Sequence, residues 1–280
     1  MKKIENETYV GERCLFNSSF LDISNSTFLD GESPLKESSN ISLNNCSFKW
    51  KYPLWYCDNI TCNNVKIFET ARSGIWYTKN IVINDSIIDA PKTFRRAKHI
   101  VLNNVTMNNA IESFWNCKDI KLNKITAKGD YFGMNSTDVI VENFHLDGNY
   151  AFDGGKNIVV KNATLNSKDA FWNCKNVRVE NSLINGEYLG WNTSDITFIN
   201  CKIISHQGLC YMKNVKLIDC ELIDTDLCFE YCKDIDATII SSIMSVKNPI
   251  SGIIRAKSID ELILDSSLID PNKTKIITNE

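Results

Sequence analysis

Several features that usually direct a functional reading are missing from this chain. No apolar run approaches the roughly 18 residues that a membrane-spanning helix needs. The opening MKKIENETYVGERC has a basic start but no continuous apolar segment after it, so it does not read as a secretory signal. Neither sign of charge is in excess: 31 Lys and Arg face 34 Asp and Glu, a net charge of −3. That balance gives no electrostatic case for nucleic acid or an anionic membrane as a partner. Only His99, His145 and His206 are present, and they are scattered. Cys57 and Cys62 have no second close pair beside them, so zinc is disfavoured and no metal or cofactor is expected. Gly-x-Ser-x-Gly and His-Glu-x-x-His are absent. The expectation is a cytoplasmic protein.

Eleven cysteines, an odd number, are present in a chain long enough to fold without staples. Cys46, Cys201 and Cys220 recur at one place in a repeat, and Cys57, Cys117, Cys174 and Cys232 at another. Cysteines fixed in this way to repeat positions behave as small buried hydrophobes, and reduced core thiols are expected.

The repeat itself is the strongest signal. AFWNCKNVRVENSL (170–183) returns, with drift, as FWNCKDIKLNKITA (114–127), GWNTSDITFINCKI (190–203) and FRRAKHIVLNNVTM (94–107). We take position zero as the first apolar residue after each turn: Ile23, Ile41, Ile60, Ile81, Ile100, Ile120, Val139, Ile158, Val177, Ile196, Val215 and Ile235. Successive steps run from 18 to 21 residues, and seven of the eleven are 19. Position +2 is again apolar, which gives a short strand of period two. Position +4 reads Asn45, Asn64, Asp85, Asn104, Lys124, Asn143, Asn162, Asn181, Asn200 and Asp219. Asn most readily takes a left-handed bend, so a corner made the same way in each repeat is expected, with side-chain amides stacked as a ladder.

Three short strands and three corners in about 19 residues describe an all-β, single-stranded, right-handed parallel β-helix of about twelve coils. One solenoid domain is expected over residues 1–280. Strands in 1–15 would close one end and an irregular unit in 245–280 the other.

The third strand of each coil carries the chemistry. Position −5 reads Trp55, Trp76, Arg95, Trp115, Met134, Asp153, Trp172, Trp191, Cys210 and Glu230, and position −4 reads Tyr56, Tyr77, Arg96, Asn116, Asn135, Gly154, Asn173, Asn192, Tyr211 and Tyr231. Simple alternation puts −3 and −5 on one face and −4 and −6 on the other. Two readings follow. Either the indoles fill a flattened core, or they form an exposed strip suited to sugar faces, with Trp115, Asn116, Asn135, Trp172, Asn173, Trp191 and Asn192 as binding residues. The catalytic candidates are Arg95 and Arg96, which break the aromatic and Asn pattern, with Glu112, Asp130 and Asp153 as carboxylates. Paired carboxylates about 5–9 Å apart can hydrolyse a glycosidic bond.

The segments SPLKESSNISLNNCSFKWKYPLWYCDNI, SGIWYTKN, APKTFRRAKHI and GDYFGMNSTD resemble an uncharacterised bacterial family, domain of unknown function 3737, and the resemblance spans nearly the whole chain. It implies membership of the pectin-lyase-like, right-handed parallel β-helix group. The wider group includes polysaccharide lyases and glycoside hydrolases with Asp clusters and Arg or Lys on a long sheet. This chain lacks a triple-Asp calcium cluster and long groove-forming loops, and fold alone does not carry function. The expected role is a binding or scaffold protein offering an aromatic and Asn-rich face to a carbohydrate or protein partner. A carbohydrate-active enzyme using Asp, Glu and Arg on that face is the alternative. Side-by-side packing of aromatic strips would also suit a homo-oligomer.

Overall fold

The computed structural model describes residues 1–279, and its regular structure is β-strand apart from two short 3-10 turns, Glu69–Ala71 and Pro271–Lys273. Within each unit strands pair in parallel with their equivalents one coil away, and the fold is a parallel β-solenoid of right-handed type. Two compact units, Met1–His145 and Leu146–Glu280, are described in turn.

In the first unit the register links Ile4, Ile23, Leu43, Cys62, Ile83, Leu102 and Leu122 as one column. Strand Thr137–Asp147 begins the eighth coil. In the second unit the same column runs Val160, Val179, Phe198, Leu217, Ala237, Ile254 and Ile276. The turns therefore number about fifteen, not twelve. The difference lies at both ends. Lys2–Glu5 and Thr8–Tyr9 stand in register with Leu21–Ser24 and Thr27–Phe28 as an ordinary first coil, and Gly252–Ala256 and Thr274–Thr278 add two more. Ile23 pairs with Leu43, so position zero of that coil is Leu21. The two are both apolar and two residues apart, which is one strand period, so the pattern alone does not separate them.

Within a coil, positions 0, +2, +5 and +7 point inward: Ile100, Leu102, Val105 and Met107 are all buried. Neighbouring coils complete this core, each buried aliphatic side chain contributing roughly 1.5–3 kcal/mol. The expected Asn corner is present. Asn45, Asn64, Asn104, Asn181 and Asn200 all have φ near 50°, and the side chains bond from coil to coil, as in Asn64 to Asn45 at 2.7 Å and Asn200 to Asn181 at 2.9 Å. Left-handed residues also recur at −1, −4 and −8, well beyond the three corners expected. These additional bends decide what the third leg displays.

Candidate functional site

At −4 the backbone is left-handed in every one of Tyr56, Tyr77, Arg96, Asn116, Asn135, Asn173 and Asn192, with φ between 51° and 61°. The conformation is held by cross-coil bonds of one kind. The Tyr56 N–H donates to the Trp76 carbonyl, Tyr77 to Arg95, Arg96 to Trp115 and Asn173 to Trp191, all at 2.9 Å. A left-handed residue turns the chain and resets the strand alternation. Positions −3 and −6 therefore face inward, as with Cys117 and Phe114 or Cys174 and Phe171, while −4 and −5 face out. The simple alternation of −3 with −5 is thus overturned. The buried aromatics are the phenylalanines: Phe94 and Phe114 stack at 4.4 Å, and Phe152 and Phe171 at 5.6 Å.

The indoles at −5 lie half-buried on the outside. Their N–H groups are committed to structure. Trp76 Nε1 donates to the Lys92 carbonyl at 2.8 Å, Trp115 to Tyr131 at 2.9 Å and Trp172 to Tyr188 at 2.9 Å, each acceptor being the left-handed −8 residue of the next coil. What remains for a ligand is the outward part of each ring.

In the first unit Trp55 and Trp76 stack at 5.2 Å, and the Arg95 guanidinium then lies between Trp76 and Trp115, 4.6 and 4.7 Å from their centroids. Arg95 Nη2 is 3.4 Å from Glu112 Oε2, which Lys92 Nζ also approaches at 3.2 Å. Beside this ladder runs the −4 column, where Tyr56 and Tyr77 stack at 4.7 Å, 3° from parallel, with Arg96 5.9 Å from the Tyr77 centroid. These side chains and Asn116 form one wall of an open groove of about 590 Å³, and Asp58, Lys79 and Lys98 form the other. Three cations face one carboxylate there. Tyr56 is 48% exposed.

In the second unit Tyr150, Lys168, Asp169, Trp172, Tyr188, Trp191 and Gln207 line a hollow of about 480 Å³. Its rings meet at steep angles: Tyr150 and Trp172 at 86°, Tyr188 and Trp191 at 77°. Asp169, at −8 and left-handed, is 2% exposed, and its Oδ1 is buried without a hydrogen-bond donor. Burial pushes its carboxyl above the ordinary aspartate range. Lys168 and a hydrogen bond from Tyr150 oppose that shift, and Glu187 and Asp153 add to it. Lys168 Nζ is itself held 3.2 Å from Glu187.

The residues singled out from sequence are distributed as follows. Trp115, Trp172 and Trp191 are half-buried on the outer face, and Asn116, Asn135, Asn173 and Asn192 are exposed beside them. Asn192 donates to Asn173 at 3.0 Å, and Asn173 to Asp153 at 3.1 Å. Arg95 and Glu112 come together, whereas Arg96 belongs to the neighbouring column and the groove. Asp130 is half-buried, and its carbonyl accepts the Glu112 N–H at 2.9 Å. Sequence reasoning missed Lys79 and Lys98 as groove residues and Asp169 with Tyr150 and Tyr188 as a cluster. The signal was a column: −2 reads Lys79, Lys98, Lys118, Thr137, Lys156, Lys175, and −8 reads Tyr131, Tyr150, Asp169, Tyr188. Among the described residues no group of three or more His, Cys, Asp or Glu is placed to hold a metal ion. Among the described residues no helix is long and apolar enough to cross a membrane.

The sequence profile of the family described as Protein of unknown function (DUF3737) matches residues 2–277. The chain belongs to that family. No curated protein matches it. Among solved structures, the A-module of mannuronan C-5 epimerase AlgE4 from Azotobacter vinelandii is similar over 98% of this chain and 88% of its own, at 9% identity and a TM-score of 0.31. PfbA, a surface adhesin of Streptococcus pneumoniae, aligns over 93% of this chain and 70% of its own, at 11% identity and 0.28. HetL, a pentapeptide repeat protein from the cyanobacterium Nostoc sp. strain PCC 7120, aligns over 91% and 88%, at 10% identity and 0.19. At these identities and scores none of them says what a member of the family binds.

Proposed function

We propose that the protein is a binding protein and that the groove walled by Tyr56, Tyr77, Arg96 and Asn116 holds a carbohydrate chain. The observation that carries this reading is the stacked, open pair Tyr56 and Tyr77 with Arg96, Lys79 and Lys98 around it. With Arg96 and Tyr56 on the two faces of Tyr77, and Lys36 and Tyr77 on those of Tyr56, the ring edges and phenol hydroxyls border the groove, and the convergent polar groups there suit sugar hydroxyls. The groove volume falls within the roughly 300–1,000 Å³ usual for ligand sites. Three cations against one carboxylate favour a saccharide bearing acidic groups. Binding is preferred to hydrolysis because Glu112 already serves Arg95 and Lys92. Membership of the pectin-lyase-like group and a reducing, cytoplasmic setting belong to the same reading, which eleven free thiols support.

A glycan array tests it, probed with the wild-type chain and with the Tyr77→Ala and Arg96→Ala variants. The wild type should be retained on acidic glycans, and each variant should bind at least about ten-fold more weakly, a loss of ~1.4 kcal/mol. Absence of any wild-type hit, or equal retention of Tyr77→Ala, would remove the groove from consideration.

A further inference from the structure

The two units build a similar local arrangement around a carboxylate at −8, but only in the first does the −5 residue of the preceding coil supply a cation. Glu112 at −8 faces Arg95, the −5 residue of the preceding coil, and the guanidinium lies over Trp115, the −5 residue of Glu112's own coil. In the second unit the corresponding positions are Asp169 at −8, Trp172 at −5 of its own coil and Asp153 at −5 of the preceding coil. The indole and a carboxylate at −8 are retained, and a second carboxylate stands where the guanidinium is rooted.

Asp169 is left with Oδ1 buried and accepting no hydrogen bond, an arrangement that costs a folded protein unless a ligand supplies the donor. The hollow in front of it is open to solvent and lined by Tyr150, Trp172, Tyr188 and Trp191, whose rings meet at steep angles. Aromatic rings beside a carboxylate are a suitable surface for a positive charge. Lys168 sits at the margin, 5.1 Å from the Tyr188 centroid, and its charge is met by Glu187.

We propose that this hollow binds an organic cation, a guanidinium or primary amine, which takes the place against Asp169 and Trp172 that Arg95 takes against Glu112 and Trp115. The first unit is the internal template: its indole, guanidinium and carboxylate show the mode at 4.7 Å ring contact and 3.4 Å ion-pair distance. The cation stacks on Trp172 and pairs with the Asp169 carboxylate, with Gln207 at the side of the hollow. The site is separate from the carbohydrate groove and does not depend on it.

The test is calorimetric titration of the full chain at low ionic strength. The probes are agmatine and spermidine as free cations and an acetylated, amidated Gly-Arg-Gly peptide as a side chain borne on a protein. Saturable binding of agmatine is expected, weakened at least ten-fold by Asp169→Asn and by Trp172→Phe and unchanged by Arg96→Ala. Thermal melts of both variants establish that they fold. Stronger binding of the peptide than of agmatine would assign the source to a partner protein, and the reverse to a small molecule. Affinity should fall as pH is lowered through a range above that of an ordinary aspartate, since burial raises Asp169 while Lys168, Glu187, Asp153 and Tyr150 surround it. Failure of all three probes to bind at millimolar concentration, or equal binding by Asp169→Asn, would overturn the proposal.

Discussion

At Asn64 the backbone is left-handed, with φ 51°, and the side-chain amide donates to Asn45 Oδ1. An L-residue in this region costs roughly 1–2 kcal/mol, least for Asn and most for β-branched side chains. Asn64→Val should therefore lower the unfolding free energy by about 2–3 kcal/mol, combining the backbone cost with a lost hydrogen bond of ~1 kcal/mol. Asn64→Gly should stay within about 1 kcal/mol of wild type. Urea denaturation checks both, and equal loss in the two variants would show that the backbone conformation is not what Asn64 provides. The +4 corner could be read from the sequence because Asn announces it. At −4 the same signal stands in Asn116, Asn135, Asn173 and Asn192 but is interrupted by Tyr77 and Arg96, and at −8 it is missing from Tyr150 and Tyr188; these are residue types that rarely take positive φ and do so here under cross-coil hydrogen bonds. Asp169 was hidden for the same reason: nothing in the local run Lys168-Asp169-Ala170-Phe171 marks a buried carboxylate.

The third leg is the element on which the functional reading turns. Its composition was legible, since Trp, Asn and Tyr recur at −5 and −4, but its orientation was not. A two-residue alternation predicts −3 with −5, and one left-handed residue between them reverses the outcome. The ladder of Trp76, Arg95 and Trp115 also explains the Arg95-Arg96 anomaly as two separate roles, one cation packed between indoles and one in the groove. Each cation–π contact is worth roughly 0.5–2 kcal/mol, and the half-exposed pair with Glu112 adds less than about 1 kcal/mol. Arg95→Ala should thus cost about 1–3 kcal/mol. Arg95→Trp, which restores the indole found at −5 in adjacent coils, should cost less. Paired urea melts decide it, and a more damaging Trp substitution would contradict the ladder.

Over the whole molecule, the 19-residue period made the parallel solenoid readable, because polar positions drift while the inward columns cannot. The number of turns was less readable, since Lys2–Glu5 and Gly252–Ala256 carry the register in residues too polar or too small to signal it. The cysteines belong to this inward framework. Ten of the eleven are buried, and burial pushes the Cys57, Cys117, Cys174 and Cys210 thiols up to about 12, which makes them core atoms and not nucleophiles. Chemistry is therefore left to the outward columns of the third leg. Hydroxyl-radical footprinting of the native chain, read by mass spectrometry, tests that claim most directly. Trp55, Trp76, Trp115, Trp172 and Trp191 should be oxidised while Phe94, Phe114, Phe152 and Phe171, each one residue from a −5 position, stay protected, and an array-selected glycan should protect Tyr56 and Tyr77. Indoles as protected as those phenylalanines would contradict the account.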